Sequence, residues 1–480
     1  MDLAAKRFHS TPLEYLSEEQ MREIHSAALD ILEDCGTIIH HDNAVDLLHK
    51  AGARVKDAQR VFIPADLVEA AIRSAPSTVT IYDRNGAVAM CLEGRNVYYG
   101  TGSDCPYLLD SFSGERRDFL SADVEDAVRL VDALPNIDFT MSNGLAPDFP
   151  ADLQYQHKYA IMLRNSTKPQ VITAVDKKSL NDIVDMAAAA VGGREALGRR
   201  PIFVLYDEPT SPLVHMGDAM EKLMFMAEHN LPTNYSPGIM AGATSPVTMA
   251  GAIVQADAEI LAGLVLHQLI RPGAPFIFGA GMSPMDMISM QPTYSAPEAM
   301  ITQAGLCQIG RCLYRLPTWG FGGCSASKLA DEQAVNEAAT YIMMAGWAGT
   351  NLVHDVGYLE FGLTYSFDLL VMCDEFIGQI RRMMAGIQVD RESLAVEVIK
   401  RVGPGGHFLA DEHTFEHFRD NWQPDLTDRR TYDDWRSRGS KSMIQLAKEK
   451  IKKLKANHQP VPLSPEVEAE IESVLARAKK

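Results

Sequence analysis

Tyr98 and Tyr99, Asn143, Tyr206 with Asp207 and Glu208, Tyr235, Phe278, Trp319 with Phe321, and His354 with Asp355, Tyr358 and Phe361 stand in or just after short apolar runs of the sequence. Aromatic faces attract cations, and they suit a quaternary ammonium, which has no N–H to donate. A carboxylate at Asp207 or Glu208 would add charge compensation. Any one of these aromatics has an ordinary alternative, the filling of a packed layer. It is the set that points to binding.

Two loops add to it. The stretch Gly281 to Met290 holds four methionines and a proline, a polarizable surface suited to a partner or to core filling. Gly320 to Lys328 reads GFGGCSASK, and paired glycines allow close backbone approach to a ligand. A phosphate cradle there is disfavoured, because Lys328 is its only cation. Cys324 reads as a small buried residue rather than a nucleophile, since no histidine stands near it in sequence.

Absences narrow the chemistry. The chain has no HExxH, GxxxxGK[ST] or GxSxG, and Gly100 and Gly102 supply only the start of a dinucleotide fingerprint. His413 and His417 have a spacing zinc could use, but a polar helix is the plainer reading. No metal site is expected.

The elements that must position these residues follow a βα rhythm. Strands are expected at 97–101, 138–143, 169–174, 202–207, 233–237, 275–280, 318–322 and 351–354. Helices are expected from Ser121, then at 151–165, 178–191, 217–230, 247–270, 296–314, 331–346 and 367–385. Eight such units predict an α/β fold, a (β/α)₈ TIM barrel whose site lies at the C-terminal strand ends. A doubly wound open sheet is the alternative, because alternation alone does not show closure. Residues 1–96 read as a small N-terminal α+β cap, 97–389 as the barrel, and 390–480 as a helical C-terminal extension.

Composition bounds the partners. The 480 residues carry 45 Lys plus Arg against 63 Asp plus Glu, a formal charge of −18, which argues against nucleic acid. The seven cysteines form no CxxC pair, so reduced thiols are expected. No leader is read in the first ten residues, and no uninterrupted apolar run is read as approaching the ~20 residues that span a bilayer. A cytoplasmic protein without membrane partners is the expectation.

The chain resembles the trimethylamine methyltransferase family over nearly its full length. The resemblance rests on SPGIMAGATSPVTMAGAIVQADAEILAG ending at Gly263, GGCSASKLADEQA from Gly322, HDVGYLEFG from His354, and GPGGHFLADEHT from Gly403 with Pro424, Leu426, Asp428, Arg429, Tyr432 and Trp435 after it. It implies a (β/α)₈ fold and no tightly bound cofactor. It also implies methyl transfer to the Co(I) corrinoid, a cobalamin, of a separate carrier protein. Family members that use trimethylamine carry pyrrolysine after the seventh strand. This chain has ordinary residues there, Lys328 and Leu329 standing nearest. The resemblance therefore implies a quaternary amine donor, glycine betaine first, then proline betaine or carnitine.

Such a transfer needs orientation and electrostatics rather than an acid or base. The expected binding set is Tyr98, Tyr206, Asp207, Glu208, Tyr235, Phe278, Phe321, Tyr358 and Phe361 for the cation. His354, or the N–H groups of Gly322 and Gly323, would meet a betaine carboxylate. A structural histidine bonded to Asp355 is the plainer alternative at His354. Two other functions compete: a barrel lyase or hydrolase using Asp207, Glu208 and His354, and a non-catalytic betaine-binding protein. Self-association through the helical tail is also expected.

Overall fold

Period-two alternation along the apolar runs decides which side chains face the barrel interior. In the computed structural model, which describes residues 12–479, one core unites Tyr98, Phe139, Met141, Val171, Val204, Ile277, Trp319 and Leu352. Their neighbours Tyr99, Phe203, Leu205, Tyr235, Phe276, Phe278 and Val353 belong to the outer layer under the helices.

The staves are Tyr98–Tyr99, the segment at Phe139 and Thr140, Gln170–Ile172, Phe203–Asp207, Thr233–Tyr235, Phe276–Gly279, Thr318–Phe321 and Leu352–His354. Seven form one parallel sheet, and the last pairs back onto the first. The second stave makes only isolated parallel bridges, Gly100 to Phe139 and Thr140 to Gln170, and these close the ring. Closure excludes the open-sheet alternative. Each expected helix is present, from Ser121–Ala133 to Phe367–Met384.

The N-terminal residues serve two places. The hairpin Val79–Tyr82 with Val88–Leu92 plugs the bottom of the barrel, where Val79, Ile81, Met90 and Leu92 join the interior core. Helices Glu18–Asp30, Asp42–Ala51 and Ala65–Ser74 instead pack on Met249–Ile270, the helix after the fifth stave. A strand of this flank, Thr37–Ile39, pairs with Val214–His215 from the loop after the fourth stave.

Helix Met249–Ile270 is long and apolar enough to cross a membrane by composition, although Asp257 and Glu259 interrupt its apolar run. It is mostly buried between flank and barrel, which explains a helix apolar on nearly every side. Within it Asp257 is fully buried, and the Tyr314 hydroxyl lies 2.7 Å both from Asp257 Oδ2 and from His25 Nδ1. His25 Nε2 stands 2.9 Å from Glu69, so one polar chain ties barrel to flank.

Burial pushes the Asp257 carboxyl up from 3.8 to about 7. Its stabilising contribution is complete below its unfolded value and is lost as pH rises through 7. Asp257→Asn should therefore lose less stability than the parent between pH 5.5 and 8, by up to about 1.4 kcal/mol per pH unit. Urea unfolding at the two pH values checks this; equal slopes would contradict it.

Loops build walls at the opposite rim. Tyr107–Leu109 and Arg116–Asp118 join Thr364–Tyr365 and Tyr358–Leu359 in one small sheet. Gly238–Ala241 joins Gly281–Asp286 and Gln291–Pro292 in another. Part of the methionine-rich stretch is thus a strand: Met282 is buried, while Met287, Ile288 and Met290 stand exposed on the turn beyond it.

After the barrel, Met443–Asn457 packs on Phe367–Met384 and Ser121–Ala133, and Pro465–Ala478 packs on Lys177–Val191. Between barrel and tail, residues 386–442 make an arm of three short helices in which Leu426 is the buried hydrophobic residue.

Candidate functional site

At the C-terminal rim the inward positions carry aromatic and polar groups. The Trp319 ring stacks on His354 at 4.1 Å. Tyr206 sits 5.4 Å from Trp319 and 6.0 Å from His354, and Phe321 sits 4.8 Å from His354. Tyr294 stacks on Phe321 at 5.0 Å. Three staves and one loop thereby bring five rings together.

Alternation on the fourth stave sorts its acids. Val204 and Tyr206 face inward, so Asp207 faces out, where Lys222 meets it at 2.9 Å. The chain then returns Glu208 to the mouth, and the Tyr206 hydroxyl donates to Glu208 Oε2 at 3.0 Å. Burial pushes Asp207 up to about 6, outweighing its ion pair with Lys222. Glu208 is open to the mouth but walled by protein, and this loss of hydration raises its pKa against the Tyr206 hydrogen bond. Burial and the nearby Glu208 charge also push the Tyr206 hydroxyl far above its usual range. Tyr206 therefore remains a neutral donor.

His354 is held by its neighbour. Its Nδ1 lies 2.7 Å from Asp355 Oδ1, and Asp355 adopts a left-handed backbone (φ 71°) that turns its carboxylate to the ring. Gly102 leaves the space for this turn: a Cβ there would collide with the Asp355 carboxylate and the Tyr358 hydroxyl. His354 Nε2, Trp319 Nε1, Asn143 Oδ1 and both amide atoms of Asn234 are buried without a hydrogen-bond partner. Buried polar groups are normally satisfied, by ordered water where protein offers no partner, so these atoms are candidate contacts for a ligand or for water.

Several residues expected here lie elsewhere. Tyr98 faces inward but at the bottom, where its hydroxyl accepts from the Cys91 N–H of the plug. Tyr235 faces outward and meets His215 Nδ1 at 2.7 Å, and Phe278 packs outward on Tyr314. Asp207 belongs to the outer layer with Lys222. The Gly322 N–H is taken by the His354 carbonyl, so Gly322 is not placed to meet a carboxylate. Period-two alternation, applied residue by residue, removes Asp207, Tyr235 and Phe278.

Tyr206, Glu208, Phe321 and His354 do meet, and Tyr358 borders them with its hydroxyl committed to the Ser103 carbonyl. Phe361 already carries a cation, since Lys328 Nζ lies 5.0 Å from its ring centre; Leu329 beside it is exposed. Cys324 is buried, with its thiol pushed well up. The His413 and His417 rings lie 4.4 Å apart at a tilt, His417 Nδ1 bonds Asp420, and no metal-binding cluster occurs among the described residues.

Sequence reasoning missed Asn234, Tyr294 and the Asp104–Lys158 ion pair. Asn234 was legible in principle, because it alternates with outward Thr233 and Tyr235. Tyr294 comes from a loop without periodicity and left no signal.

Comparison with known proteins relates the sequence to methyltransferases. A family model described as trimethylamine methyltransferase (MTTB) matches residues 4–480. A trimethylamine methyltransferase MttB of Desulfitobacterium hafniense is 33% identical over 460 residues, covering 96% of this chain and 92% of the relative. A glycine betaine methyltransferase from another strain of that species is 30% identical, covering 97% of each. Among solved structures, the monomethylamine methyltransferase MtmB of Methanosarcina barkeri superposes with a TM-score of 0.56 at 11% identity, covering 98% of this chain and 88% of that one. That likeness concerns the fold.

Proposed function

Because the chain belongs to the trimethylamine methyltransferase family, we propose that it moves a methyl group from a quaternary amine to the reduced corrinoid of a separate carrier protein. The observation that carries this reading is the aromatic wall of Tyr206, Trp319, Phe321 and Tyr294, with Glu208 beside it. π-Faces and one carboxylate suit a cation that cannot donate a hydrogen bond.

The acceptor supplies the nucleophile when the carrier docks. As the methyl carbon bonds to it, the C–N bond breaks and its electron pair stays on nitrogen, so a neutral tertiary amine leaves and no proton moves. The tasks left to this chain are positioning and charge. Tyr206 and Tyr294, the partly exposed rings of the wall, hold the cation, Trp319 backs Tyr206, and Glu208 balances the charge. As the positive charge leaves nitrogen, the attraction of these groups for the product weakens, which favours release. The rim suits a docking partner: Ile288 is 96% exposed, with Met287 and Met290 beside it and Val247 on the neighbouring loop.

The ordinary residues at Lys328 and Leu329 support a quaternary rather than a tertiary amine. The described cysteines are all free thiols, in keeping with a reducing cytoplasm. Exposed Ile387, Val389, Leu409 and Phe415 on the arm offer an apolar surface for self-association.

A second reading draws on the His354–Asp355 pair, whose geometry would also orient a general base. One experiment separates the two. The chain is incubated with quaternary amines and a reduced corrinoid carrier, and tertiary amine is followed by NMR. Carrier-dependent formation of tertiary amine is expected; turnover without the carrier, with a bell-shaped pH profile, would favour acid–base chemistry.

A further inference from the structure

Most basic groups around this mouth already face an acid. Lys158 Nζ lies 2.6 Å from Asp104 Oδ1, Lys222 lies 2.9 Å from Asp207, and the His354 ring lies 2.7 Å from Asp355. Lys328, farther out on the rim, is held by the Phe361 face and by the Ala326 carbonyl at 2.9 Å. Glu208 is the surplus charge. It accepts from the Tyr206 hydroxyl, and the charges acting on it are Asp207, Lys222 and Asp104, two acids against one base.

The unsatisfied groups are of another kind. His354 Nε2, Trp319 Nε1, Asn143 Oδ1 and the two amide atoms of Asn234 are buried and unpartnered. Asn234 is the register neighbour of Tyr206 on the adjoining stave, so its amide stands beside the aromatic wall. Neutral donors and acceptors of this type suit a hydroxyl, which both donates and accepts. A carboxylate buried here would lose its hydration among four acids, while Lys328, the basic group without an acid partner, stands on the exposed rim, and that burial is costly.

Resting on the methyl-transfer reading above, we propose that the substrate is a quaternary ammonium with a single positive charge and an uncharged hydrogen-bonding tail. That describes a quaternary ammonium alcohol of the choline type, with Glu208 as its counter-charge and specificity determinant. A zwitterionic betaine has the right head, but its tail adds repulsion at the place where the site already carries an excess of acids. The inference replaces glycine betaine, the sequence's first expectation, while leaving the reaction class unchanged.

Calorimetric titration of the full chain with choline, glycine betaine and tetramethylammonium tests it. Choline should bind at least about tenfold more tightly than glycine betaine. Glu208→Gln should weaken choline about tenfold and narrow that gap, whereas Glu208→Asp, which keeps the charge, should retain the preference. A thermal melt of each variant shows that it is folded. Glycine betaine binding as tightly as choline or more tightly would overturn the inference, all the more if Lys328→Ala weakened it; so would choline affinity unmoved in Glu208→Gln. Both results leave methyl transfer from a quaternary amine standing. If none of the three bound, and neither proline betaine nor carnitine did, the methyl-transfer reading itself would fall.

Discussion

Trp319→Leu is expected to weaken binding of a quaternary ammonium at least about tenfold, because this enclosed ring backs Tyr206 and its loss disorders the wall. Trp319 is 0% exposed and touches the rings of Phe139, Tyr206 and His354. Its removal therefore also leaves a cavity at the centre of the barrel, costing about 2–4 kcal/mol of stability. The two losses are separated by a control. Phe278→Leu empties an equally buried position, but one facing the helix layer. It should lower stability while leaving affinity unchanged. Ligand titration beside urea unfolding reads both quantities. Equal affinity in the Trp319 variant would remove its ring from the binding wall.

The second large effect concerns folding. Lys222 and Asp207 are both buried, and Lys222 also donates to the Ala174 carbonyl at 2.8 Å. Lys222→Met strands the carboxylate without its partner, a change that typically costs about 3–5 kcal/mol. Asp207 already has a raised pKa, about 6, and loss of Lys222 raises it further. A raised carboxyl favours folding in its protonated form, so the deficit should be smaller at pH 5 than at pH 8. Adding Asp207→Asn should recover most of the stability at pH 8. Affinity for the cation should change little in the double variant, because Asp207 points away from the mouth. A variant as stable as the parent at pH 8 would contradict this account of the pair.

The outline of this fold was legible because it rests on two periodicities. Each expected strand from 97–101 to 351–354 contains the observed stave, and each helix is found within a few residues of its expected limits. Closure was not legible, since it depends on single bridges at Gly100, Phe139, Thr140 and Gln170 that carry no sequence pattern. The long helix Met249–Ile270 shows a different limit: its polar residues Asp257 and Glu259 are buried among partners from distant segments, which no local window reveals.

The site was legible by residue type but not by direction. Tyr206 and Tyr235 look alike in sequence, yet one faces the mouth and the other faces His215, because each occupies a different parity on its stave. Asp207 and Glu208 differ for the same reason. His354 was identified as a strand-end histidine beside Asp355, and the structure joins the two. What the sequence could not supply was the loop contribution of Tyr294, or the matching of Lys158 with Asp104, which sets the charge balance of the mouth.

The pocket's selection for positive charge is tested most directly by choline and its carbon isostere 3,3-dimethylbutan-1-ol, which share a shape and differ in charge. If rings and Glu208 hold a cation, choline should bind at least about thirtyfold more tightly by calorimetry. Equal affinity for the two would mean that the pocket recognises bulk alone, and the electrostatic account of this site would be wrong.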